Sequence, residues 1–263
     1  MSGSVIPTLS ASSRARELFT GLVLPLRALG LIFRTPRLFA LSLLAALVTA
    51  LALVALAVLL WPFGQSLADR LVGHDATWQR VTSAGLGFLF FALLFVVGAL
   101  TVPNLLLAPL QDPLSEATEV RCGDFTAPPF SARAAVRGTL ESLAHTLLRL
   151  SFMLLGFAVL WPLNLVPVAG GVAWVILSSA WSMFWLAVEH LSNPMARHLH
   201  PFRQVVGALG RRLPLALGFG AALWVILWVP VVNFFLMPVA VVAGTLLYRG
   251  LLAAGALPGP PKA

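Results

Sequence analysis

Three groups of residues in this 263-residue chain carry side chains suited to binding or proton chemistry. In the first, Thr35-Pro36-Arg37 follows Arg34 and precedes Leu38, and it reads as the opening of a helix. Threonine is a preferred cap, and proline in the first turn gives up a donor that would be unsatisfied anyway. Free backbone amides beside two guanidinium groups make a candidate oxyanion site at Arg34, Arg37 and Leu38. The same residues also fit the ordinary basic flank of a membrane span.

The second group is acidic. Asp112, Glu116 and Glu119 follow Pro109 in the stretch TVPNLLLAPLQDPLSEATEV, residues 101–120. Here Pro109 is expected to end a span, Asp112 to cap a new short helix and Pro113 to open it, with the glutamates enriching its early turns. Carboxylates at the edge of a polar cavity are the functional alternative, as a cation or proton site. Asn104, Pro109, Asp112 and Glu116 are grouped as one cytoplasmic motif. In the third group, His190, His198 and His200 invite a metal, but their spacing matches no established zinc motif, and none is expected.

No GxSxG, HExxH, P-loop or dinucleotide fingerprint occurs, so neither a conventional enzyme nor a cofactor is expected. An intramembrane enzyme using Asp112, Glu116 or His198 lacks a nucleophile or metal set. Cys122 is the single cysteine, which excludes an intrachain disulfide and reads as a small apolar filler.

The elements that must position these groups belong to a bilayer. Apolar residues make up 59% of the chain and charged ones 10%, against about 25% charged in a soluble domain. Four uncharged blocks, 38–68, 81–111, 150–188 and 213–248, separate the charges. The first follows five arginines and is too long for a signal peptide, so the N-terminus is expected to be retained. Sixteen arginines and Lys262 give a net charge of +8. In a bilayer protein that excess reports topology, and no basic patch interleaves with aromatics as nucleic-acid binding would require. Only Arg70 and Arg80 lie between the first two blocks. The positive-inside rule therefore puts that loop outside and the N-terminus in the cytoplasm.

Blocks three and four then begin and end on the same side. Each is broken by proline: WPLNLVP at 161–167 and WVPVVN at 228–233, with Pro238 beyond. The arm from Leu213 to Val229 would be about 25 Å long as a helix, against a hydrocarbon core of about 30 Å. Two re-entrant hairpins are expected, with Asn164, Asn233, Pro230 and Pro238 at their turns and the asparagines satisfying local backbone groups. The two turns resemble each other, either as a weak internal repeat of the kind found in transporters or as a chance similarity between apolar segments. Glu141, His145 and Arg149 share a face of an amphipathic stretch at 131–149.

These residues resemble a known family. Phe219-Gly220-Ala221, Pro230, Asn233 and Met237-Pro238-Val239-Ala240-Val241 are similar to the FGA, I-P-x-x-N and M-P-V-A-V pattern of the CysZ sulfate permeases and the wider etoposide-induced-protein superfamily. Ala108, Pro109, Leu114 and Glu116 match its A-A-P-F-N-x-L-L-A-E segment, with Leu110, Gln111 and Pro113 substituted. Pro194, His198 and Pro201-Phe202 match P-x-x-x-H-x-x-P-F, with Ala196-Arg197 in place of Asp-Asn. The likeness extends over roughly 30–250. One departure concerns the site itself: the sulfate branch carries G-[I/L]-R-R where this chain has Thr35-Pro36-Arg37-Leu38.

The resemblance implies an all-α integral membrane protein with two long transmembrane helices and two pairs of hemi-penetrating helices. It also implies a homo-oligomer in the bacterial inner membrane, with sulfate or a related oxyanion as cargo. Combined with the charge pattern, it gives a single membrane domain. A cytoplasmic segment at 1–34 leads to spans at 36–60 and 82–108, a cytoplasmic belt at 109–149 and a hairpin at 150–188. A second belt at 189–212, a second hairpin at 213–250 and a flexible tail at 251–263 follow. A non-transporting interaction module whose belt binds a partner is the alternative.

Overall fold

A computed structural model describes residues 6–7, 13–72, 76–123, 132–167, 169–227 and 230–257; within these, the side chains at 100–101, 103–105, 108–109, 132–145 and 230–236 are left aside. Its helices are α1 (Arg14–Arg34), α2 (Pro36–Val72), α3 (Thr77–Cys122), α4 (Ala132–Leu160), α5 (Ala169–Arg197), α6 (Phe202–Arg211), α7 (Leu213–Leu227) and α8 (Pro230–Ala253). A 3-10 turn at Trp161–Leu165 follows α4. No strand occurs among the described residues.

Among the described residues, four stretches are long and apolar enough to cross a membrane: Pro36–Val72, Thr77–Ala99, Thr146–Leu165 and Ala169–Arg197. Leu51, Val58, Leu93, Leu154 and Ile176 on these stretches are exposed. Large aliphatic side chains turned outward along helices of this length and hydropathy fit a lipid surround. The chain is an all-helical membrane protein.

The described chain forms two compact units, Leu43–Leu110 and the remainder. In the first, α2 and α3 pair antiparallel. Gly64 lies against the Gly87 carbonyl and Phe91, and Gly98 against Leu56. At the far end the Ser83 hydroxyl donates to Asp69, and Trp61 meets Phe91 edge to face at 5.3 Å. Polar side chains thus pair with each other where the helices leave the apolar stretch.

The second unit holds the core, in which Leu24, Leu191, Leu209, Leu215, Phe219 and Leu247 are fully buried. Its helices approach through glycines. A Cβ at Gly21 would strike the backbone of Leu215 and Phe219, and one at Gly218 the backbone of Leu18. These reciprocal contacts pack α1 antiparallel to α7. Gly220 meets the Met183 carbonyl of α5 in the same way, and Gly244 of α8 meets that of His190. Small residues allow this approach where lipid supplies no hydrophobic drive between helices.

Several expectations change. Helix α3 runs unbroken to Cys122, so Asp112 caps nothing and Pro113 opens nothing. An existing helix can carry proline when tertiary contacts offset the lost bond, and Gln111, Asp112 and Ser115 all make such contacts. Pro238 is no turn residue: it is buried inside α8. Asn233 lies in α8 as well, with its side chain outside the described residues. Pro230 opens α8, where its missing donor costs nothing. The segment at 1–34, expected only as a cytoplasmic lead-in, contains α1, whose Leu24, Ala28, Leu31 and Ile32 are part of the core.

Gly21→Ala or Gly218→Ala is expected to cost about 1–3 kcal/mol by forcing α1 from α7. The double variant should cost clearly less than the sum, because one displacement accommodates both methyls. Gly30→Ala, which meets nothing within 4 Å, should leave stability unchanged or raise it by up to about 1 kcal/mol. Thermal melts in detergent check all three, and additive losses would contradict the shared contact.

Candidate functional site

Helix α2 begins at Pro36, as its sequence signals require. The Phe39 amide returns to the Thr35 carbonyl at 2.9 Å, which leaves the Arg37 and Leu38 amides at the open end of the helix. Thr35 Oγ1 is buried with no hydrogen-bond partner among the described residues, so the threonine occupies the cap position without making the cap bond. Arg34 and Arg37 are exposed, and Leu38 is fully buried in the core. No described acid pairs with either arginine.

At the other predicted positions, Asn164 is exposed in the α4–α5 connection and donates to the Trp161 carbonyl at 3.0 Å. It thereby satisfies a local backbone group, the role its sequence context suggests. The side chains of Asn104, Pro109, Pro230, Glu141 and His145 lie outside the described residues, and the Trp228-Val229 turn is itself outside them. Arg149 pairs with Glu189 of α5 at 2.9 Å.

The structure adds a site at Glu119, which sequence reasoning set among the acids at a helix entry, with a cation or proton site as the alternative. Glu119 has no exposed side-chain surface, yet accepts from two consecutive residues at the end of α5. Arg197 Nη2 donates to Oε1, and His198 Nε2 lies 2.9 Å from Oε2. Arg197 Nη1 also donates to the Asp112 carbonyl at 3.1 Å. Around this centre the Asn193 amide donates to Gln111 Oε1 at 2.9 Å, and the Ser115 and Thr245 hydroxyls meet at 2.8 Å. The ends of α3, α5 and α8 are joined by side chains.

Local geometry explains how two neighbours point inward. Helix α5 ends with the Leu199 amide on the Ala196 carbonyl and the His200 amide on that of Met195. Leu199 takes the left-handed conformation at φ 56° that this terminator requires. The turn sets His198 and His200 on two sides of Tyr248: His198 stacks on it at 5.2 Å, and His200 meets it edgewise at 6.0 Å. His200 Nδ1 lies 2.9 Å from Gln204 Oε1. Among the described residues no three ligating side chains converge on a metal position.

Burial on its own pushes the Glu119 carboxyl up, but the His198 hydrogen bond and the Arg197 charge together outweigh it and hold the pKa below the usual carboxylate value. Burial dominates at His200 and keeps its pKa low. It also raises the Cys122 thiol to about 11, which leaves that side chain a protonated filler against the core. A carboxylate so fully paired serves as a fixed charge and is poorly placed to act as a nucleophile.

Glu119→Gln is therefore expected to destabilise the protein at pH 7 by about 3–5 kcal/mol, the usual cost of removing one member of a buried pair. The folded pKa lies below the unfolded value of about 4.3. The carboxylate's contribution is thus present above that value and disappears as pH falls through the folded one. Melts of both proteins from pH 7 to pH 3 should converge at the acid end, and a constant gap would refute the assignment.

The residues 24–238 match the family described as sulfate transporter CysZ/etoposide-induced protein 2.4. The chain is 32% identical over 188 residues to the sulfate transporter CysZ of Pseudomonas syringae pv. tomato, an alignment covering 69% of this chain and 73% of that protein. With the CysZ of Pseudomonas fluorescens it shares 30% over 149 residues, 55% of this chain and 58% of that one. With that of Salmonella typhi it shares 27% over 193 residues, 72% and 76% of the two chains. The matched stretch takes in the start of α2, the Glu119 network and most of the core, and the chain belongs to the sulfate transporter CysZ/etoposide-induced protein 2.4 family.

Proposed function

We propose that the protein is a bacterial inner-membrane permease for sulfate or a related oxyanion. The observation that carries this reading is the 32% identity to a protein named sulfate transporter CysZ, over 73% of that protein's length. The start of α2 supplies a chemically suitable receptor. Arg37, with Arg34 three residues before it across the extended Thr35, and the open amides of Arg37 and Leu38 would receive the anion at the cytoplasmic end. The single arginine of Thr35-Pro36-Arg37-Leu38 would hold it by one guanidinium and backbone donors, where a paired-arginine motif would use two.

Helices α2 and α3 would span the bilayer, and the α4–α5 and α7–α8 pairs would enter and return. Two features support the hairpins. Helix α7 has 15 residues, about 22 Å, which is short of a core of about 30 Å. In α5 the first turns expose Val172, Val175 and Ile176, whereas Trp185, Val188, Leu191 and Met195 are buried in protein. Only the first half of that helix presents a lipid-facing surface. The Asn164 and Asn233 regions would then lie at the deep ends of the hairpins, along the path. The arginine distribution would set the N-terminus, 109–149 and 189–212 in the cytoplasm, and copies of the chain would assemble as a homo-oligomer.

Proteoliposomes containing the purified chain are expected to take up labelled sulfate saturably, and Arg37→Ala should reduce the rate at least tenfold with unchanged melting temperature. Absence of uptake and of sulfate binding by folded protein would overturn the permease reading in favour of an interaction module in the same family.

A further inference from the structure

We propose that the outer face of α1 is a binding surface for anionic phospholipid headgroups. The inner face of this helix is accounted for, because Gly21, Leu24, Pro25, Ala28, Leu31 and Ile32 are buried. The outer face is not. Phe19, Leu26 and Phe33 recur every seventh residue and are 66%, 64% and 67% exposed. Residues seven apart on a helix lie almost directly above one another, so the three form one apolar stripe.

A second row runs beside it. Arg16, Arg27 and Arg34 are exposed and separated by 11 and 7 residues, spacings that also return to nearly the same angle. They are turned about a quarter of a revolution from the stripe, along one flank. The sole acid of α1, Glu17, turns away and faces Arg212 at 3.8 Å. No described acid pairs with any of the three arginines.

An aromatic and aliphatic stripe flanked by exposed arginines fits one kind of surface closely. The stripe enters the acyl boundary while the arginine stems run along it and their guanidinium groups stay at phosphate level. Charge selects the lipid, because each such arginine is drawn to a net negative headgroup and gains little from a zwitterionic one. The contrast with α6 sharpens the point. That helix also carries exposed arginines, Arg203 and Arg211, but it buries Phe202, Val205, Ala208 and Leu209 and exposes no large apolar side chain. Of these two helices, α1 is the one that combines both rows. Arg16 and Phe19 precede residue 24, where the family match begins. Leu26, Arg27, Phe33 and Arg34 lie within it, and the test leaves Arg34 and Arg37, the proposed anion receptors, untouched.

Two measurements test it on the full chain. Native mass spectrometry of detergent-solubilised protein, titrated with phosphatidylglycerol or phosphatidylcholine, is expected to show phosphatidylglycerol bound at least fivefold more tightly. Arg16→Gln/Arg27→Gln should remove most of that preference while melting as the parent does. A preference unchanged in the double variant, or absent from the parent, would overturn the proposal. In vesicles of three parts phosphatidylcholine to one of phosphatidylglycerol, a spin label on Leu26→Cys in a Cys122→Ala background should be accessible to oxygen and shielded from a water-soluble nickel chelate. A label open to the nickel reagent would mean that the stripe faces water or a protein partner, and the lipid surface would be rejected.

Discussion

A hydrocarbon solvent cannot satisfy a polar group, and this constraint organises the chain from its composition down to single side chains. Charges are expelled from four long stretches. Several polar groups retained among the packed helices answer one another: Ser115 with Thr245, Asn193 with Gln111, Ser83 with Asp69. Glu119 is the extreme case. A carboxylate with no exposed surface is tolerated because an arginine and a histidine from one helix end reach it, and the same contacts tie α3 to α5.

The bilayer character, the start of α2 and the break at 161–167 could all be read from the sequence, because each depends on local chemistry: charge spacing, a threonine–proline pair, a proline-rich interruption. The course of α3 could not. Proline at 109 and 113 signals a boundary by its local geometry, whereas the observed helix continues because residues 111–119 find partners some eighty or more positions away. Pro238 misled for the same reason, being held in α8 by burial. The docking of α1 left a fainter trace. Gly21 and Gly218 reveal their purpose only once the helices are adjacent.

Glu119 illustrates why a buried site escapes a linear reading. Beside Glu116 and Asp112 it looks like one of several solvated acids, and nothing local says which will be enclosed. The informative signal was distant, in the departure from the family pattern at Ala196-Arg197 in place of Asp-Asn. Arg197 brings a positive charge to the carboxylate. That charge and the His198 hydrogen bond together favour an ionised Glu119 in a place where burial alone would have neutralised it. The network is thus a long-range device: two neighbours at the end of α5 hold a buried charge on α3, and the pairing forms only when the helices meet.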